Sequence, residues 1–243
     1  MEEMARALSA IDGVAGVTLG GSQARGTADA HSDVDLGVYY RGDLDVSAVR
    51  ALARAADPQS EVSERGGWGP WVNGGAWLTV DGTRVDWIYR DLDRVERIRA
   101  DCEAGRVECH FQIGHPHGFW SSAYVAELAL ARILADPDGA LDAARPRTYP
   151  DALGAALSER GRWEADFVLA VAEKGASRGD VAWVAGCLYR AAGCLSQARH
   201  AEARAWVTTE KGTVAPDLAA ALAHIGTTPA ELHAAIDRLR ALG

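Results

Sequence analysis

Asp33 and Asp35 stand two residues apart in Ser32-Asp33-Val34-Asp35-Leu36-Gly37-Val38. In an extended chain successive side chains alternate faces, so both carboxylates point the same way. Two anions side by side repel unless a cation lies between them. A hard divalent ion such as Mg²⁺ accepts these oxygen ligands and leaves room for substrate phosphates. Val34 and the apolar run at 36–38 favour a buried strand over a solvated edge. Asp86 sits mid-strand in Arg84-Val85-Asp86-Trp87-Ile88, where a lone buried carboxylate would be costly. It either joins the first two or pairs with Arg84 or Arg90. Upstream, Gly20-Gly21-Ser22 ends a β-prone run. Glycines there let backbone N–H groups approach phosphate oxygens, and the Ser22 hydroxyl adds a donor. The turn lacks the ending of a Walker A loop and the spacing of a dinucleotide turn. Three converging carboxylates beside a phosphate-binding turn would hold a triphosphate in line with an attacking hydroxyl.

Several elements must position these groups. Residues 1–10 read as a short amphipathic helix and 14–19 as a strand. A helical turn begins at Gly21 and stops at Gly26. Residues 33–40 form a strand with a polar beginning, and 46–56 have helical spacing that Asp57-Pro58 ends. Strands at 76–80 and 84–89 are joined through Asp81-Gly82, a hairpin signal, and 92–104 return to helix. Beyond residue 118 the chain turns alanine- and leucine-rich, with helical spacing over 121–134, 149–174, 178–206, 215–224 and 229–242 and no further strand signal. The expected fold class is therefore α+β: a mixed-sheet domain over residues 1–117, then an all-α helical bundle over 118–243.

The segment Gly21-Ser22-Gln23-Ala24-Arg25-Gly26 followed by Ser32-Asp33-Val34-Asp35-Leu36 resembles the signature of the DNA polymerase β-type nucleotidyltransferase superfamily. Within it the chain is similar to the small-molecule branch that includes aminoglycoside and lincosamide nucleotidyltransferases, which join a catalytic domain to a helical one. The resemblance covers residues 14–40, with Asp86 as an extension. It implies that Gly21 and Ser22 hold a nucleoside triphosphate and that Asp33, Asp35 and Asp86 bind Mg²⁺. Arg25 would touch phosphate or pair with a nearby acid. It further implies transfer of a nucleoside monophosphate, AMP from ATP, onto a hydroxyl of a small molecule, with the helical domain contributing to acceptor binding. Many such relatives are dimers, so a homodimer is implied as well.

A general base within reach of the attacking hydroxyl would assist. Glu127, which interrupts the apolar stretch 125–130, is the candidate, against an ordinary helix position paired with Arg132. Asp86 is the alternative. Lys211, in Thr208-Thr209-Glu210-Lys211-Gly212, resembles a segment of related transferases that could reach the triphosphate, or is a surface lysine. His115-Pro116-His117 lacks further ligands at zinc spacing. The aromatics Trp68, Trp71, Trp77, Trp87, Phe119 and Trp120 read mainly as core.

The bulk numbers fit this reading. The chain has 243 residues, 48% hydrophobic, and a formal net charge of −9. That charge argues against a nucleic-acid partner, which calls for a basic face, and would draw in amine-bearing cations. Four cysteines without paired spacing read as reduced thiols, and no membrane-spanning run or secretory signal is evident, which places the chain in the cytoplasm. Two other readings compete. One is a toxin–antitoxin type transferase acting on a protein or tRNA. The other is a nucleotide-binding protein on a decayed scaffold, whose mark would be the loss of a metal carboxylate.

Overall fold

The computed structural model describes residues 1–26 and 32–243, and gives the backbone but not the side chain of Arg25. The described residues divide into two compact units, residues 1–101 with 108–148, and residues 102–107 with 149–243. Among the described residues, no helix is long and apolar enough to cross a membrane.

The first unit runs α1 (Glu2–Ser9), β1 (Val14–Leu19), α2 (Gly21–Arg25), β2 (Val34–Tyr40), α3 (Val46–Ala56), β3 (Glu61–Val62), β4 (Gly75–Val80), β5 (Thr83–Asp91), α4 (Leu92–Glu103), β6 (Cys109–Gln112), β7 (His115–Trp120), α5 (Ala123–Leu130), β8 (Arg132–Ala135) and α6 (Ala140–Ala144), with the end of α4 grouping with the second unit. Six strands form one sheet in the order β3-β4-β5-β2-β1-β8, while β6 and β7 form a separate hairpin. β2 and β5 are parallel, and the other pairs in the large sheet are antiparallel. The expected hairpin turn is present between β4 and β5. Asp81 has φ 50° and Gly82 φ 78°, the left-handed pair that matches the twist of two flanking strands.

One sheet face carries the core. Val34, Leu36 and Val38 of β2, Ala76 and Leu78 of β4, and Val85 and Trp87 of β5 pack with Leu8 of α1 and Val49 and Ala53 of α3. This is the period-two alternation expected of strands with one covered face. The alternate residues Asp35, Gly37 and Tyr39 on β2, Asp86, Ile88 and Arg90 on β5, and Trp77 and Thr79 on β4 therefore share the opposite face.

The second unit is helical, with α7 (Asp151–Arg178), α8 (Val181–Glu202), α9 (Pro216–Leu222) and α10 (Pro229–Arg240). Leu169, Ala172, Val184, Leu188, Leu195, Leu218, Leu232 and Ile236 build its core. The starts of α8 and α10 are capped by side chains. Asp180 accepts from the Trp183 N–H at 3.1 Å, and Thr228 forms a capping box with Glu231 ahead of Pro229.

The α+β fold class holds. The division between units differs from the one read at residue 117. Residues 108–148 group with the sheet because β8 pairs with β1, with Leu19 opposite Arg132 and Thr18 opposite Ile133. The expectation that strands end by residue 118 fails for the same reason. The stretch read as one helix over 121–134 breaks at Ala131, and its last residues become the edge strand β8.

Candidate active site

Parallel pairing of β2 and β5 sets Asp35 directly opposite Asp86. Residues opposite one another on paired strands project to the same side, so these carboxylates are neighbours on the face away from the core. Like charges in such positions oppose one another, an arrangement that a cation relieves. Asp33 lies just before β2 and is 2.7 Å from Arg84 Nε, with the two side chains 36% and 70% exposed. An ion pair this open is worth roughly 0–1 kcal/mol, so Asp33 can give up Arg84 at little cost.

The turn between β1 and β2 closes on the same point. The Gly20 N–H donates to the Asp35 carbonyl oxygen at 2.8 Å. Gly21 has φ +60°, and a Cβ built there would lie 1.8 Å from Asp35 Oδ2. No residue with a side chain can occupy position 21 without moving that carboxylate. Ser22 follows in α2, partly exposed. The structure thus gathers Gly21, Ser22, Asp35 and Asp86, with Asp33 turned towards Arg84.

Further along the strands the same face is polar but covered. Arg90 is buried and forks onto Glu127 of α5, Nε to Oε2 at 2.6 Å and Nη2 to Oε1 at 2.8 Å. Burial pulls the Arg90 pKa down, but the Glu127 carboxylate outweighs it and the guanidinium is held charged. Tyr124 of α5 lies under the guanidinium at 5.2 Å. The Tyr39 phenol is pushed above its usual range, first by burial and then by Glu127, and its hydrogen bond with Thr18 works against the shift. Glu127 is thus neither exposed nor paired with Arg132. Both its oxygens engage Arg90, four residues beyond Asp86 on β5, a rise of about 13 Å along the strand.

The remaining expectations are quickly placed. Lys211 is exposed in the second unit, its N–H donating to Thr209 Oγ1 at 3.3 Å. The Arg25 side chain lies outside the described residues. His115 stands edge-on to Phe119 at 5.3 Å, and none of the four cysteines is in a disulfide. Among the described residues, no three His, Cys, Asp or Glu side chains are gathered closely enough to hold a metal ion. The in-register Asp35 and Asp86, and the cradle in which Gly21 meets Asp35, nevertheless fit a divalent cation. Asp33 can supply a third ligand on leaving Arg84.

Residues 1–68 match the family model described as the nucleotidyltransferase domain. The chain carries a nucleotidyltransferase domain. The match takes in Gly21, Ser22, Asp33 and Asp35 and ends before Asp86, which joins the site through the β2–β5 register. Among curated proteins none matches the chain. Among solved structures the chain is similar to a nucleotidyltransferase-like protein from Exiguobacterium sibiricum 255-15, at 15% identity and TM-score 0.45, over 100% of this chain and 74% of that one.

Reading the sequence alone misses two parts of the neighbourhood of this site. Arg90 and Glu127 are 37 residues apart, and no local pattern links them. Trp77, read as core, is instead 49% exposed, because β4 turns Ala76 and Leu78 inward and Trp77 and Thr79 outward.

Proposed function

We propose that the chain transfers a nucleoside monophosphate, AMP from ATP, to a hydroxyl of a small molecule and releases pyrophosphate. The observation that supports this most is the Asp35–Asp86 pair, set in register beside the Gly20-Gly21-Ser22 turn. The turn offers backbone N–H groups and the Ser22 hydroxyl to the triphosphate. Asp35 and Asp86, joined by Asp33, would hold Mg²⁺, which when bound neutralises phosphate charge during the displacement. The acceptor oxygen attacks the α-phosphorus, the bond to the bridging oxygen of pyrophosphate breaks, and the hydroxyl proton passes to a base.

Asp86 is the better candidate for that base, since both Glu127 oxygens already accept from Arg90. An antibiotic such as an aminoglycoside or a lincosamide is the acceptor class that the sequence resemblance implies, and the net charge of −9 suits amine-bearing ones. The test is pyrophosphate release from purified protein with Mg²⁺ and each of ATP, GTP, CTP and UTP. Aminoglycosides, lincosamides and tRNA serve as acceptors, and Asp35→Ala as the control. Release that needs one triphosphate and one small acceptor and vanishes in the control supports the reading. Wild-type protein that binds no triphosphate in Mg²⁺ defeats it.

A further inference from the structure

The face that carries Asp35 and Asp86 continues one strand further to an exposed indole. Trp77 of β4 lies directly opposite Asp86 in the antiparallel β4–β5 pair, and Glu61 of β3 lies directly opposite Trp77. Three side chains thus follow one another across the same face, carboxylate, indole, carboxylate. Trp77 is 49% exposed, although the alternation of its strand would let it turn to solvent without an aromatic ring. Its ring is not loose, for Trp68 stacks on it with centroids 4.6 Å apart and 17° between the planes. An ordered indole, backed on one side and open on the other, offers a ready flat surface at low entropic cost.

The order of the strands says which substrate this surface meets. Gly21 and Ser22 lie on the β1 side of Asp35, and Trp77 lies on the far side of Asp86. In-line displacement places the attacking oxygen and the leaving pyrophosphate on opposite sides of the α-phosphorus. On the transferase reading given above, the triphosphate tail occupies the Gly21–Ser22 end. The acceptor hydroxyl must then arrive from the β4–β5 end. Neighbouring strands are about 4.8 Å apart, so the indole lies roughly 10 Å from Asp35. That is one sugar ring beyond the reacting hydroxyl.

The flanking charges fix the chemistry of the occupant. An indole face attracts a cation, and Glu61, directly opposite Trp77 on β3, strengthens that preference, while Asp86 on the other side is taken up by the proposed metal. We propose that Trp77, backed by Trp68 and flanked by Glu61, is the seat of the acceptor. It takes a saturated ring with an apolar face against the indole and a protonated amine directed to Glu61. Trp77 and Glu61 are then residues that set acceptor specificity and leave the triphosphate site alone.

The experiment measures two binding events separately on the full chain. Titration calorimetry follows Mg²⁺ with a non-hydrolysable ATP analogue, and in parallel the aminoglycoside tobramycin as the amine-bearing probe. The proteins are wild type, Trp77→Ala, Trp77→Phe and Glu61→Gln. The expected result is that Trp77→Ala weakens the probe tenfold or more, Glu61→Gln weakens it several-fold, and Trp77→Phe restores most of the affinity. The nucleotide affinity stays as in wild type throughout. Probe affinity unchanged in both Trp77→Ala and Glu61→Gln overturns the proposal. So does a loss confined to the nucleotide, which would make the indole a base platform, and so does wild-type protein that binds nucleotide but not the probe. If wild type binds no nucleotide while Trp77→Ala still loses the probe, the seat stands and the transferase reading is what fails.

Discussion

Oδ2 of Asp35 lies so close to the α-carbon of Gly21 that a methyl group on that carbon would come within 1.8 Å of it. The backbone of Gly21 is also left-handed, at φ +60°, where an L-residue costs about 1–2 kcal/mol. Gly21→Ala therefore carries both strain and a collision with the proposed metal ligand. We expect triphosphate affinity in Mg²⁺ to fall about tenfold or more, equivalent to about 1.4 kcal/mol, with a smaller loss of stability. Calorimetric titration and a denaturant melt on the same sample separate the two. Unchanged affinity would remove the turn from the phosphate site.

Asp86 is reached through a sheet register and not through the matched motif. In the proposed mechanism Asp86→Asn lowers turnover at least about a hundredfold, about 2.7 kcal/mol in the barrier. The same variant should lose most of the thermal stabilisation by Mg²⁺, because only ligands that bind the folded state raise its midpoint. Turnover and Mg²⁺-dependent melting are the readouts. Loss of activity with the full Mg²⁺ shift retained would point to a proton-transfer role for Asp86 without metal binding.

The Arg90–Glu127 pair yields an unequal prediction. The Arg90 side chain is 5% exposed and that of Glu127 is 27%. Removing the acid strands a buried cation, which costs about 3–5 kcal/mol, whereas removing the arginine leaves a carboxylate that water can reach. Glu127→Gln should therefore destabilise more than Arg90→Met, and the double variant should lose less than the two added. Urea unfolding measures all three. If Glu127→Gln instead kept its stability and lost turnover, Glu127 would be the general base after all.

Alkaline pH should weaken the fold through its buried phenols. The phenols of Tyr89 and Tyr149 are each pushed up to about 12, chiefly by burial, and that of Tyr39 is pushed up further. Above pH 10 the unfolded chain releases these protons while the folded chain keeps them, so stability falls as pH rises from 10 towards 12. Below pH 10 both states hold the protons and these groups give no slope. Unfolding free energy measured from pH 8 to 11 should show the decline, and Tyr39→Phe should make it shallower.

The parts of the site that the sequence revealed are those written in neighbouring residues. The Gly20-Gly21-Ser22 turn, the Asp33–Asp35 spacing and the Asp81-Gly82 hairpin each specify geometry within a few positions. Asp86 could be recognised as an acid inside a strand, but its partner was a matter of which strands are adjacent. β8 was lost inside an apparent helix for a related reason. Ala131 to Ala135 is a short stretch without its own period, and its conformation is decided by β1, far back in the chain. Glu127 was singled out as an acid in apolar surroundings, yet the buried arginine it serves lies on β5, far from α5 in the chain.

The place of β8 also bears on how the molecule is made. β1 is paired on one side by β2 and on the other by β8, which follows only at residues 132–135. A chain emerging from the ribosome exposes β1 first and β8 long afterwards, and contacts so distant in sequence close slowly. Until they close, one edge of β1 offers unpaired N–H and C=O groups that another nascent chain can bind. The interval between synthesis of the Asp33–Asp35 motif and of β8 is therefore when this protein is most open to aggregation, and when a chaperone would have most to do.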